Sequence, residues 1–293
     1  MKKDLITRKE STRYPGLFVK KYTRQVFFDN LWHENEELLE ARGHVELEDG
    51  TVVVRPFTKI FNRNENGTDI ALDEEVVAIR KVNGFMACAT YVPQVGEVVV
   101  STTGSLDSDF VRYAEEYITS KVKDAIIKFS TEEHPVTFMF EIVHQEDPHI
   151  IKEACGAYLI GGRYIDNPEA YHSDHIVEDT LDILASDEYM NVHRPEWKVC
   201  KFGEVVDDAK TCKHEGYVVY GQTSGTALKI KSPYYLALKA AARKKDIMSL
   251  NKQFVDEEFY PLIDYIKEHK DEFNALEEQE RITFMEKFIN DNY

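Results

Sequence analysis

Residues 80–91 read RKVNGFMACATY, in which Lys81 stands between two apolar runs and a glycine follows it three residues later. The flanking stretches EVVAIRK and FMACATY, and EVVVST after them, are short, rich in apolar and β-branched residues and separated by turn signals, which predicts strands. The Lys-x-x-Gly pattern alone decides nothing, because it arises by chance about once in a chain with this many lysines and glycines. The surrounding chain decides what Lys81 is.

Upstream, HVELEDGTVVVRPF from His44 reads as a hairpin with Asp49-Gly50 at its turn. Downstream, VTFMFEIV (136–143) reads as a strand buried on both faces, and it holds one acid, Glu141. An unpaired charge there costs on the order of several kcal/mol, so Glu141 is either in a salt bridge or in a site. A second hairpin, EGYVVYGQTSGTALKIKS (215–232), turns at Thr223-Ser-Gly, and the alternation of its return strand puts Lys229 and Lys231 on one face.

Two helices interrupt the strands. SDFVRYAEEYITSKVKDAIIKF (108–129) has apolar residues at 110, 111, 114, 118, 122, 125, 126 and 129, the face of one continuous helix with Ser108 at its N-cap. HIVEDTLDILASDEY carries a weaker version of the pattern. After Pro233 the chain turns helical and amphipathic to its end, so the sequence predicts an α+β domain over 1–232 and an all-helical module over 233–293.

With 293 residues, 43% hydrophobic and 12% aromatic, the chain can bury a sizeable core. No run approaches the roughly 18 apolar residues of a membrane span. The N-terminal MKKDLITRKESTRYPG lacks the apolar stretch of a signal peptide, and the expected location is the cytoplasm, with no membrane partner. Four scattered cysteines fit reduced thiols better than a disulfide framework, with a Cys200, Cys212, His214 metal site as the alternative. HSDH at His172 to His175 reads as a solvated turn rather than a metal site.

The net charge of −17 is the wrong sign for nonspecific coating of duplex nucleic acid. Its distribution is uneven. Residues 1–30 hold eight Lys/Arg against three acids, and residues 229–245 hold six bases and no acid, whereas 246–293 hold thirteen acids and five bases. A basic site in an acidic shell would meet a phosphate-bearing ligand locally, and the N-terminal strip and residues 239–245 are the candidate contacts to it. A solvated helix end is the alternative for the second cluster.

Of two Lys-x-x-Gly stretches, only the one at Lys81 is followed in order by a carboxylate in a buried strand (Glu141), a Glu-Gly opening a strand (Glu215, Gly216) and a Lys-x-Lys on the returning strand (Lys229, Lys231). That order suits a covalent nucleotidyltransferase, in which a lysine amine attacks the α-phosphorus of a nucleoside triphosphate and releases pyrophosphate. Neighbouring cations, here Lys59, Lys229 and Lys231, would favour the neutral, attacking amine and stabilise charge growing on the phosphate. A divalent metal, Mg²⁺ or Mn²⁺, would bind the phosphates beside carboxylates.

At these residues the chain resembles the bacteriophage RNA ligase 1 family of the ligase and capping-enzyme superfamily. The likeness rests on Lys81-Val-Asn-Gly84, TFMFEIV, EGYVVY and LKIKS, preceded by EARGHVEL and VVRPFTKIFNRNE, and spans roughly 40–239. It implies a nucleotidyltransferase domain of the ATP-grasp-like ligase type, with antiparallel sheets and flanking helices. It also implies ATP as co-substrate and, as substrate, RNA with 5′-phosphate and 3′-hydroxyl ends. Position by position, it makes Lys81 the AMP acceptor, Arg42 and Lys59 contacts to the triphosphate tail, and Phe61 part of the nucleotide pocket. Gly84 would shape the turn, Glu141 and Glu215 would hold ribose or metal, and Lys229 and Lys231 would contact the α-phosphate, with Gly216 in the same motif as Glu215. Two positions depart from the family pattern. Asn83 replaces the more frequent aspartate, and Thr103 stands where the family often has a lysine, keeping a phosphate donor without its charge.

The resemblance further implies a monomer served by an RNA end-healing kinase-phosphatase. Two alternatives stand beside the ligase: a GTP-using guanylyltransferase, and a module that binds RNA ends without joining them. Retention of Lys81, Glu215, Lys229 and Lys231 weighs against the latter, which has no need of a nucleophile.

Overall fold

The computed structural model describes residues 4–130, 135–166, 175–252, 255 and 257–292. Among these residues the strands are β1 Ile6–Glu10, β2 Phe18–Tyr22, β3 Arg42–Glu46, β4 Val52–Val54, β5 Phe61–Asn62, β6 Glu75–Arg80, β7 Phe85–Val92, β8 Glu97–Thr102, β9 Val136–Val143, β10 Gly156–Tyr164, β11 Trp197–Lys201, β12 Gly216–Gly221 and β13 Ala227–Lys231. The helices are α1 Arg24–Phe28, α2 Glu37–Glu40, α3 Asp109–Tyr117, α4 Ser120–Phe129, α5 Glu178–Ala185, α6 Phe202–Thr211, α7 Pro233–Ala242, α8 Tyr260–Glu268, α9 Lys270–Ala275 and α10 Glu278–Asn292.

They divide into two compact units. The first comprises Met1–Ile60, Gly84–Gln145 and Ala154–Pro195. It holds two antiparallel sheets, ordered β1-β2-β3-β4 and β10-β9-β7-β8. Every residue of β9 is buried, as its unbroken apolar run predicts. Its period of two sends Phe138, Phe140 and Ile142 into the layer packed under α3, α4 and α5, and Met139 into a layer with Val19, Val45 and Val54 of the other sheet. Glu141 shares the face of Met139.

The expected single helix over 108–129 is two. Ser108 takes the extended N-cap conformation, but α3 ends at Tyr117, and Thr119 (φ −67°, ψ 174°) is the N-cap of α4. The adjacent β-branched Ile118 and Thr119 weaken the helix at that point. The apolar period continues through the break because Ile118 and Val122 are buried in the same core.

The second unit comprises Phe61–Asn83, Glu146–Glu153 and Glu196–Tyr293. Its sheet is ordered β11-β6-β12-β13-β5, antiparallel except for a two-residue parallel ladder between β13 and β5. Val76, Ala78, Val219 and Leu228 pack one face of it against Phe202 and Val205 of α6. Helices α7 to α10 bury a core of their own with Ile150 and Ile151. The change from strand to helix at Pro233 is sharp: Ser232 accepts from the Tyr235 N–H, and Pro233 stands in the first helical turn. Arg281 is buried and donates to the carbonyls of Ala242, Lys244, Phe273 and Asn274, fastening α10 to the ends of α7 and α9. No helix among the described residues is long and apolar enough to cross a membrane.

Candidate functional site

In the second unit, β6 delivers Lys81 at its end, where the Lys81 N–H donates to the Gly216 carbonyl at 2.8 Å. The Lys81 Nζ lies 3.1 Å from Glu215 Oε2 and 3.2 Å from the Val82 carbonyl oxygen. Glu215 is nearly inaccessible, at 3% exposure. Its Oε2 also receives the Asn83 amide at 2.6 Å, and its Oε1 lies 3.8 Å from Lys231 Nζ. The Asn83 Oδ1 in turn accepts from the Ile151 N–H at 3.0 Å. Sequence alone marked Asn83 only as a departure from the family. The structure uses both ends of its amide, and an aspartate there would face the Glu215 carboxylate.

The β12–β13 hairpin sets the spacing of the acid and the bases. Gly216 pairs with Lys231 and Val218 with Lys229. Gly216 has φ +126°, and a Cβ there would sit 2.0 Å from the Ile230 carbonyl oxygen, so only glycine fits. Ser232 donates to the His214 carbonyl at 2.5 Å, tying the strand end after Lys231 to the residue before Glu215. Burial pushes the Lys231 ammonium below the usual lysine range. The charges of Lys239 and Lys81 act in the same sense, and Glu215 and Glu65 oppose them. Lys231 and Lys239 each stand 5.4 Å from the ring centroid of buried Tyr235. Burial pushes the Tyr235 hydroxyl up to about 12. Sequence reading passed over Tyr235, whose signal is an aromatic in the first helical turn after the second lysine. Phe61 is half-buried in β5 and pairs with Leu228, while Asn62 pairs with Lys229.

The first unit holds the other expected residues. Gly84 donates its N–H to Glu141 Oε1 at 3.1 Å, and a Cβ at Gly84 would lie 2.2 Å from the Ile142 carbonyl oxygen. The close approach that requires glycine is therefore to β9. Lys59 donates its N–H to the Leu39 carbonyl at 2.7 Å, and its Nζ stands 5.1 Å from the Trp32 ring centroid. Arg42 opens β3. Thr103 lies in the turn that closes with Thr102 N–H to Ser105 carbonyl at 2.9 Å. Glu40 and the nearly inaccessible Arg163, paired at 3.0 Å, hold together the two segments that carry Arg42 and Lys59, because Arg163 also donates to the Pro56 carbonyl at 2.7 Å.

Among the described residues no group of three or more His, Cys, Asp or Glu is placed to hold a metal ion, Cys200, Cys212 and His214 included. All four cysteines are free. Of the His172–His175 stretch, residues 172–174 lie outside the described residues, and His175 stacks on Phe57 at 5.7 Å. Within the second unit, Lys81 and Lys231 suit the phosphate oxygens of a nucleoside triphosphate, and the buried Glu215 suits a divalent cation that keeps phosphate and water in its shell.

The α+β architecture with antiparallel sheets is that of the nucleotidyltransferase fold of ATP-dependent ligases. A protein-family profile described as RNA ligase, of the phage T4 ligase 1 type, matches residues 40–235, and the chain belongs to this RNA ligase family. No curated protein matches the sequence. Among solved structures, an archaeal ATP-dependent RNA ligase aligns with TM-score 0.56 at 15% identity, covering 95% of this chain and 72% of that one. A putative ATP-dependent DNA ligase from Aquifex aeolicus aligns with TM-score 0.55 at 13% identity, covering 92% and 70%. At these identities the likeness is one of fold. A mutant of the Naegleria gruberi RNA ligase with ATP and Mn matches over 56% of this chain with TM-score 0.44 and 11% identity, and this chain spans about half (51%) of its length.

Proposed function

We propose that the chain is an ATP-dependent RNA ligase that joins an RNA 5′-phosphate to a 3′-hydroxyl through an AMP adduct of Lys81. The observation that carries this reading is the Lys81 amine, held 3.1 Å from a buried carboxylate that a second lysine also approaches, in a chain of the RNA ligase family. Nζ gives up a proton to solvent and forms a bond to the α-phosphorus of ATP as the bond to the departing pyrophosphate breaks. Glu215 orients the amine and accepts its hydrogen bond. Lys231 and Lys229 stabilise charge on the α-phosphate. An RNA 5′-phosphate oxygen then displaces Lys81 from the adenylate, and the 3′-hydroxyl displaces AMP.

Arg42, Lys59 and Thr103 hold the triphosphate tail, Phe61 and Gly216 the nucleoside side, and Glu141 the ribose. Glu215, with Glu141 as the alternative to its ribose role, is the proposed acid for a Mg²⁺ or Mn²⁺ ion, which when bound would supply positive charge to the phosphates. We infer a monomer working in the cytoplasm, phage-encoded, on broken RNA such as a cleaved tRNA loop, after a kinase-phosphatase has prepared the ends.

The test is circularisation of a 5′-labelled, 3′-hydroxyl RNA with ATP and Mg²⁺. A phosphatase-resistant circle is the expected product. No joining by folded protein, with ATP or GTP, contradicts the proposal.

A further inference from the structure

The Thr103 turn lacks a cationic side chain of its own, yet a cation stands against it. A Cβ added at Gly104 would lie 3.0 Å from Lys21 Cδ and 3.1 Å from Lys21 Nζ, so the Lys21 side chain lies along the backbone of the turn. On the other side of that turn is Gly43: its Cβ would lie 2.9 Å from Thr103 Cα and 3.0 Å from the Thr102 carbonyl oxygen. Lys21 and Arg42 are ladder partners across β2 and β3, at a bulge. Three strands thus bring Lys21, Arg42 and the 102–105 turn to one place.

The charges at that place are unbalanced. Neighbouring Lys20 is ion-paired with Glu37 and Glu46. Among the described residues, neither the Lys21 ammonium nor the half-buried Arg42 guanidinium has a carboxylate partner. Like charges directly opposite on a ladder destabilise a sheet, and a half-buried guanidinium without a counter-ion adds to the cost. An arriving anion would relieve both.

We propose that Lys21 is a phosphate-binding residue of this enzyme and that, with Arg42 and the Thr103 turn, it grips the pyrophosphate end of the triphosphate. It supplies from β2 the charge that Thr103 does not carry. This rests on the ligase reading above and adds a residue that the family motifs do not contain.

The experiment compares wild type, Lys21→Met, Lys21→Arg and the double variant Lys21→Met with Thr103→Lys. It measures equilibrium binding of inorganic pyrophosphate and the KM for ATP in AMP transfer to Lys81. Loss of one charge-assisted contact predicts pyrophosphate binding weaker by about tenfold or more in Lys21→Met, with the loss in AMP transfer falling on KM rather than kcat. Lys21→Arg should bind within about threefold of wild type, and Thr103→Lys should restore binding in the Lys21→Met background. Wild-type pyrophosphate binding by folded Lys21→Met, or failure of both rescues, overturns the assignment. Wild type that binds pyrophosphate in a Lys21-dependent way but takes no AMP from ATP overturns the ligase reading and leaves the anion site standing. Wild type that binds no pyrophosphate overturns the anion site itself.

Discussion

The Lys81 ammonium and the Asn83 side-chain amide meet on one oxygen of Glu215, at 3.1 Å and 2.6 Å. Residues two apart in sequence are thereby oriented by a carboxylate 132 positions away from Asn83. The Ile151 N–H on Asn83 Oδ1 fixes the amide the right way round for this. Lys81 is thus held by a chain of hydrogen bonds rather than by the motif alone.

Replacing Glu215 with glutamine keeps its shape and removes its charge. Single-turnover transfer of AMP to the protein should fall about 100-fold, on the scale of losing one preorganised electrostatic contact. Activity of Glu215→Gln within about threefold of wild type would show that the carboxylate does not orient the amine.

Lys231 makes a pH prediction. Its folded-state pKa is lowered, chiefly by burial, so on raising pH it loses its proton before an ordinary lysine at about 10.4. AMP transfer should therefore decline on the alkaline side below that pH, and Lys231→Arg, which keeps its charge, should move the decline upward. The stability sign is opposite to that of a salt-bridged lysine. Between the lowered folded value and the unfolded value the unfolded chain binds more protons, so this residue's contribution rises with pH there. A pH–rate profile that is the same for wild type and the Lys231→Arg variant would remove Lys231 from phosphate stabilisation.

Gly216→Ala should fail on geometry. Its Cβ would meet the Ile230 carbonyl oxygen at 2.0 Å and Lys231 Cα at 2.9 Å. Urea unfolding should show a loss of about 2 kcal/mol or more, together with loss of AMP transfer, because Glu215 and Lys231 flank the displaced ladder. A wild-type midpoint would mean that the left-handed conformation is not required.

Glu40 makes an acid-side prediction. Burial alone would raise its pKa, but His44, Arg163 and Thr58 outweigh burial and hold it far below the usual carboxylate range. A depressed folded pKa contributes stability that is full above the unfolded value, about 4.3, and is lost as pH falls below it. The stability gap between wild type and Glu40→Gln should accordingly be widest at neutral pH and narrow steadily as pH falls below about 4. A gap independent of pH would contradict the role of the ionised carboxylate.

Much of this was legible in the sequence because it is local. The alternation of LKIKS put Lys229 and Lys231 on one face, the unbroken apolar run of 136–143 announced a strand buried on both sides, and Pro233 marked the change to helix. Other features escaped for physical reasons. The polar strands ITRKE and FVKKY bury few residues and give no clean apolar alternation. The break at Ile118 and Thr119 leaves the helical period intact because both helices cover one core. The partnership of Asn83 with Glu215, and of Lys21 with the turn at Gly104, joins residues far apart in the chain, which no local pattern records.

The central claim is that Lys81 is the nucleophile. Its most direct test is to incubate folded wild type and Lys81→Ala with α-labelled ATP and Mg²⁺, without RNA, and to look for covalent label on the protein. The account predicts label on wild type, released onto a 5′-phosphorylated RNA, and none on Lys81→Ala. Equal label on Lys81→Ala would contradict it, and so would the absence of label on wild type with ATP.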